Sequence, residues 1–226
     1  MEMPEILFED NHCIAIAKPA GMASAHFQGV DETLDRVVKD YLKSKYGKPG
    51  DVFLGIVHRL DKPVSGVLLF ARTSKGAARL SEQFREGSIE KVYWAMVDGE
   101  VSTTAGSLED WLLRTDKRVE VVPPRTPNSR QSVLHFHKKS TYGGLTWLEL
   151  RPQTGRTHQL RVQLAHHGHP IFGDAKYGSI RTFGDAIGLH ARSLTFLHPI
   201  RYEPITLTAE LPKTWRGKFA YLLKSS

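Results

Sequence analysis

From Lys91 to Thr208 the chain is a succession of strand-length apolar runs broken by one helical stretch, and this pattern restricts the fold more than any other feature. The run Val92-Tyr93-Trp94-Ala95-Met96-Val97 reads as a strand, and further strands are predicted over 107–113, 118–122, 132–139, 145–151, 189–197 and 204–210. Tyr142-Gly143-Gly144 reads as the hairpin turn between two of them. A helix is predicted over 158–167 and another over 213–223, and the polar, Pro-rich stretch 123–131 reads as a loop. Ahead of Lys91, Ile6-Leu7-Phe8 and Ile14-Ala15-Ile16-Ala17 read as a hairpin turning at Asp10-Asn11 and ended by Lys18-Pro19-Ala20-Gly21. Residues 33–46 place Leu34, Val37, Val38, Tyr41 and Leu42 on one helical face, with Gly47 as the stop. A buried strand over 66–71 and a helix over 74–85, closed by Gly87, complete this half. Many antiparallel runs with few helices predict a mixed α/β (α+β) fold, a large, bent, mainly antiparallel sheet with flanking helices. At 226 residues, a single domain spanning 1–226 is expected.

Composition narrows the class. Apolar residues make up 40% and charged residues 24%, which excludes a wholly disordered or collagen-like chain. The only cysteine is Cys13, so neither an intramolecular disulfide nor a zinc site with two cysteines can form. No apolar run approaches the roughly 18–20 residues that cross a bilayer. The start Met1-Glu2-Met3-Pro4-Glu5 is acidic and lacks a signal-peptide core, so a cytoplasmic location is expected and no membrane partner. The net charge of +7 is unevenly placed: residues 1–113 carry 13 Lys/Arg and 17 Asp/Glu, residues 114–226 carry 18 and 7. A basic half on an enzyme-sized chain points to a polyanion, nucleic acid first.

Three constellations could carry chemistry. His58-Arg59-Leu60-Asp61 stands just before the 66–71 strand and presents two polar side chains and one carboxylate. Lys62-Pro63 and Ser65-Gly66 make this loop stiff in composition, which suits a site more than a linker. In Thr154-Gly155-Arg156-Thr157-His158-Gln159-Leu160-Arg161, Thr157 is expected to cap a helix and Arg161 to lie near its positive end, where a phosphate or carboxylate is attracted. Strand alternation puts Lys91 and Tyr93 on one face, where a ring can stack a base beside a cation that holds a phosphate. Of the 11 histidines, eight lie after residue 130, but His135-Phe136-His137 and His166-His167-Gly168-His169 lack a recognisable third ligand, and no metal is expected. A protein-kinase reading of His58-Arg59-Leu60-Asp61 fails for want of a downstream Asp-Phe-Gly and a Gly-rich phosphate loop.

In order along the chain, these segments resemble the RluA-type pseudouridine synthase family. The matching blocks are Lys18-Pro19-Ala20-Gly21, His58-Arg59-Leu60-Asp61, Ser65-Gly66, Lys91-Val92-Tyr93-Trp94-Ala95, the stretch from Arg151 to Arg161, His169-Pro170-Ile171, Gly173-Asp174, Leu189-His190-Ala191 and His198-Pro199. The resemblance implies a pseudouridine synthase fold and an isomerase acting on uridines of structured rRNA or tRNA. It implies Asp61 as the catalytic aspartate, Arg59 as the arginine that helps hold the flipped nucleotide, Tyr93 as the ring stacked on the target base, and Arg161 as the basic residue that pairs with the aspartate. His58, Lys91, Arg156 and His158 are expected to bind substrate. One departure is Val64, where the family often has Thr. With the Lys18-Pro19 block so near the start, the chain resembles the bare catalytic domain, without the S4 RNA-binding domain that many members carry.

The chemistry suits these residue types. Breaking N1–C1′, turning the uracil and bonding C5 to C1′ changes no redox state, so no cofactor is expected, and no obligate protein partner. One ionised carboxylate can attack C1′ or remove the C2′ proton. The base must first leave its stack, which asks for a flat partner and for cations on the phosphates. A silent RNA-binding module is the alternative, against which a carboxylate facing phosphates argues. A metal-dependent RNA hydrolase is a second, against which the lack of clustered acids argues.

Overall fold

The computed structural model describes residues 3–26 and 32–223, so Met1 and Glu2 of the acidic start lie outside the described residues. The chain forms two compact units, residues 1–90 with 191–210 and residues 91–190 with 211–226. The architecture is the expected mixed α/β type, with mainly antiparallel strand pairing and few helices.

In the first unit, β1 (Ile6–Glu9) and β2 (Cys13–Lys18) form the predicted hairpin. Asp10 makes its turn, since Oδ1 accepts from the backbone N–H of His12 at 2.8 Å and of Cys13 at 2.9 Å. Helix α1 (Leu34–Lys45) follows Thr33 and buries Leu34, Val38 and Leu42. A two-residue strand, β3 (Gly55–Ile56), precedes β4 (Ser65–Ala71), in which every residue is buried. Helix α2 (Ser74–Glu86) is capped by the Thr73 hydroxyl, which accepts from Gly76 N–H at 3.1 Å, and ends on Gly87 in the left-handed conformation. The strand order is β1-β2-β4-β10, where β10 is Leu189–Leu197; β11 (Pro204–Thr208) pairs with β10, and β3 with β4. One continuous core joins Cys13 and Ala15 of β2, Val67, Leu69 and Ala71 of β4, Leu80 of α2, Leu194 and Phe196 of β10, and Leu207 of β11. These side chains recur at every second position, as expected for strands that share one buried face.

The second unit is an antiparallel array in the order β5-β9-β8-β6-β7. Its strands are β5 (Glu90–Asp98), β6 (Ala105–Arg114), β7 (Val119–Val122), β8 (Arg130–Tyr142) and β9 (Leu145–Pro152). Gly143 and Gly144 both have positive φ, 59° and 72°, so the two-residue turn between β8 and β9 has the twist that suits a hairpin. Helix α3 (Gln159–His166) buries Leu160, Arg161, Val162, Gln163 and Leu164. The terminal helix predicted over 213–223 is two pieces, α4 (Lys213–Lys218) and α5 (Ala220–Leu223). Trp215, Phe219 and Leu222 from these pieces pack with Met96, Trp147 and Phe172.

Candidate functional site

Asp61 sits half-buried in the loop between β3 and β4, and residues 18–24 hold this loop in place. The Ser24 hydroxyl donates to Leu60 C=O at 2.6 Å and accepts from Leu60 N–H at 3.1 Å. Gly21 N–H donates to Lys62 C=O at 2.9 Å, and Val64 N–H to Asp61 C=O at 3.0 Å. The side chain of Lys18 is 1% exposed, and its ammonium donates to three carbonyls: Pro19 at 2.9 Å, Lys62 at 3.1 Å and Val64 at 2.6 Å. Three N–H donors meet three acceptors, the arrangement a buried ammonium needs. Burial pushes the Lys18 amine down to about 7, against the opposing pull of the Asp61 charge. Val64, the departure from the family pattern, is buried at 2% exposure.

The other residues of this loop divide between fold and solvent. The His58 ring lies 4.6 Å from Phe84, nearly parallel at 21°, and its Nε2 accepts from Leu69 N–H at 2.9 Å. The side chain thereby extends the β3–β4 ladder by one bond. Arg59 is exposed. Gly66, the first residue of the predicted 66–71 strand, is the second residue of β4, at φ +121°. A Cβ there would lie 2.2 Å from the carbonyl oxygen of Ala191, so only glycine admits β10 this closely.

In the second unit, Lys91 and Tyr93 alternate along β5 and both are half-buried, with Tyr93 opposite Leu150 of β9. Burial, then the nearby charge of Arg156, pushes the Lys91 amine below its ordinary value. The Lys91 ammonium lies 3.9 Å from the place a Cβ would take on Gly155, so Lys91 and the 154–156 loop are neighbours. Gln159 shapes this loop. Its Oε1 accepts from Thr154 Oγ1 at 2.8 Å and from Arg156 N–H at 3.0 Å, and its Nε2 donates to Val133 C=O at 3.1 Å.

The expected cap at Thr157 is not what starts α3. The residue before the helix is His158, at φ 52° in the left-handed region, and no side chain caps it. The Gln159 side chain serves the loop ahead of the helix instead, where it accepts from the Arg156 N–H. His158 Nδ1 lies 2.8 Å from the Tyr177 hydroxyl, which accepts from Val119 N–H at 3.3 Å. Arg161 is buried, with Nε 2.7 Å and Nη2 2.9 Å from the two oxygens of Asp174, and its guanidinium lies 5.1 Å from the centre of the Tyr177 ring. A two-point pair of this kind fixes the direction of the guanidinium as well as its charge.

Lys18, Ser24, Gln159, Asp174 and Tyr177 are the positioning residues that the sequence reading did not single out. Lys18, Gln159 and Asp174 lay within the matching blocks, and a lysine before Pro19 at the end of an apolar strand was a signal.

Asp10, Cys13 and His198 are the one group among the described residues with potential metal ligands close enough to share an ion. Their donor atoms are committed to hydrogen bonds. Asp10 Oδ2 takes His198 Nε2 at 2.7 Å and Arg201 Nη1 at 2.9 Å, while His198 Nδ1 accepts from the backbone of Ile200 and Arg201. Burial and then the Asp10 charge push the Cys13 thiol up to about 12. This network ties the first hairpin to the 198–201 turn. His135 and His137 lie opposite Arg151 and Glu149 across the β8–β9 ladder. Among the described residues, no helix is long and apolar enough to cross a membrane.

Residues 12–166 match the family described as RNA pseudouridylate synthase. The chain is 36% identical over 219 residues to the ribosomal large subunit pseudouridine synthase C of Buchnera aphidicola, covering 91% of this chain and 66% of that protein. It therefore spans about two thirds of that relative's length. It is 35% identical to the tRNA pseudouridine synthase C of Haemophilus ducreyi, covering 95% of this chain and 94% of that one. Among solved structures it is similar to human RNA pseudouridylate synthase domain containing 4, with a TM-score of 0.79, 26% identity, and coverage of 98% of this chain and 92% of that one.

Proposed function

Because the chain belongs to the RNA pseudouridylate synthase family, we propose that it isomerises uridines of structured rRNA or tRNA with Asp61 as the reacting carboxylate. The observation that carries this reading is the anchoring of the Asp61 loop. A buried ammonium and a buried hydroxyl hold the backbone on both sides of one half-buried carboxylate. Holding a buried charge this way is costly for a plain surface loop and useful for a group that must meet one atom of a substrate.

In this reading Asp61 attacks C1′ or removes the C2′ proton of a nucleotide turned out of its stack. Tyr93 supplies the ring on which the base rests. Arg161, held by Asp174, takes the place of the basic residue that family members pair with the aspartate. Arg59, Lys91, Arg156 and His158 contact the RNA, whereas His58 contributes through its bond to Leu69. The whole chain, 1–226, acts as one catalytic domain, in the cytoplasm and without a cofactor, a metal or an obligate protein partner.

Tritium release from RNA carrying 5-tritiated uridine tests the assignment, because bonding of C5 to C1′ displaces that hydrogen. Asp61→Asn should abolish release while RNA affinity stays within about tenfold, roughly 1.4 kcal/mol. Substantial turnover by Asp61→Asn would remove Asp61 from the chemistry. A product shortened in length would point to hydrolysis instead.

A further inference from the structure

At the tip of the β8–β9 hairpin two tyrosines stack on each other in solvent. Tyr142 is 59% exposed and Tyr221 of α5 69%, their ring centres 5.3 Å apart and their planes 22° from parallel. The pair is built in. The Gly143–Gly144 turn ends β8 at Tyr142, and the Ser140 hydroxyl donates to Leu222 C=O at 3.0 Å, which fixes α5 beside the strand. Two large rings left this exposed are unusual on a surface that has nothing to bind.

The charge around them has one sign along the chain. Residues 131–148 and 211–226 contain no Asp or Glu, while Lys138, Lys139, Lys213, Arg216 and Lys218 are all cationic. Lys139 and Lys218 are exposed. Arg181 approaches from a third segment, with Nη2 3.9 Å from the place a Cβ would take on Gly144. Arg181 and Lys218 both lie over the Phe172 ring, at 5.7 and 5.6 Å. Asp98 lies 3.0 Å from Arg181 Nε.

Aromatic faces bordered by cations suit unpaired nucleotides, whose bases stack on the rings while their phosphates meet the charges. Duplex RNA would use the charges and ignore the rings. A protein partner would ask for a broader apolar surface than two rings, and for some balance of charge. We propose that Tyr142 and Tyr221 form a platform for an unpaired nucleotide of the RNA, separate in sequence from the Tyr93 that takes the target base. The inference rests on the reading that RNA is the substrate, and it says where a single-stranded segment of that RNA is held.

The test is fluorescence anisotropy of a labelled single-stranded uridine decamer with the full chain. Replacing both tyrosines by Ala should weaken binding about tenfold or more, by the usual range for one stacked base. The double Phe variant should bind within about twofold of the original. The double Leu variant, apolar but without a π face, should behave like the Ala pair. Unchanged affinity in the Ala pair, or full affinity in the Leu pair, would overturn the proposal. So would sedimentation showing that the chain self-associates and that the Ala pair abolishes it. Photocrosslinking of a 5-iodouridine oligonucleotide to the unmodified chain covers the case of poorly folded variants: label should map to Tyr142 or Tyr221, and label only elsewhere overturns the idea. Tritium release by Asp61→Asn, run alongside, reports on the catalytic reading alone, since it does not alter the tyrosines.

Discussion

The Lys18 ammonium lies 2.6 Å from the carbonyl oxygen of Val64, 46 residues further along the chain, and the loop between Asp61 and Ser65 is held by that contact. Lys18→Met would leave three carbonyls without their shared donor, a loss of about 1–3 kcal/mol for each buried group left unsatisfied. Turnover should fall at least tenfold, because the loop that carries Asp61 loses its anchor.

The pH dependence of the same variant has a definite sign. The folded amine titrates at about 7, well below the ordinary 10.5. Between those values the unfolded chain holds a proton that the folded chain lacks. Stability owed to this group therefore rises with pH across that window, by at most about 1.4 kcal/mol per unit, and is reduced below about 7. Thermal melts of the unmodified chain and Lys18→Met should diverge as pH climbs from 7 towards 10. Parallel curves would show that the amine keeps an ordinary affinity for its proton.

Asp10 gives the opposite sign. Burial works to raise its pKa, but the His12 and Cys13 amides, Arg201 and His198 together hold it down at about 2, against an ordinary 3.8. Its contribution is complete above the ordinary value and is lost as pH falls towards 2, amounting to about 2 kcal/mol. Asp10→Asn should lower the stability near neutral pH and flatten the acid limb between pH 4 and 2. Urea melts at several pH values would measure both.

Arg161→Lys keeps a cation but cannot reproduce the two-point contact with Asp174. Turnover should drop by about 100-fold, the scale on which misdirected groups fail. Circular dichroism should show an intact fold. Asp174→Asn should give a similar loss while leaving Arg161 itself unaltered. Equal activity of Arg161→Lys and the unmodified chain would mean that charge alone is needed there.

For Tyr93, Phe preserves the ring and Leu removes it. Single-turnover rates should fall for both, with Leu at least about tenfold below Phe if stacking is the larger role. Equal failure would assign the main role to the hydroxyl.

Much of this arrangement was legible in the residues. The β1–β2 hairpin, α1, α2 and the strands from β5 to β9 follow from alternation, periodicity and turn glycines, and their ends shifted by at most a few residues. Two kinds of feature were not. β3 is two residues long and is completed by a side chain, His58, so it has no periodicity to detect. The start of α3 looked like a Thr157 cap because local pattern cannot show that Gln159 reaches back to Thr154 and across to Val133. The 213–223 helix divides at Phe219, whose φ of −115° leaves the helical range, although Trp215, Phe219 and Leu222 keep the spacing of one helical face in a core with Met96 and Phe172. The same holds for Arg161 and Tyr177, sixteen residues apart and outside any single helical turn.

The contact of Gly66 with Ala191 sets an order of events during synthesis. The first unit is closed by β10 and β11, whose Leu194, Phe196 and Leu207 complete its core. A ribosome must therefore make all of residues 91–190 before the strand that seats against Gly66 exists. Until then β4 lacks the neighbour that seats against Gly66. Contacts so distant in sequence form late and slowly. Amide exchange on the full chain should accordingly show β4 and β10 opening together, as one cooperative piece, with β5 to β9 opening on their own.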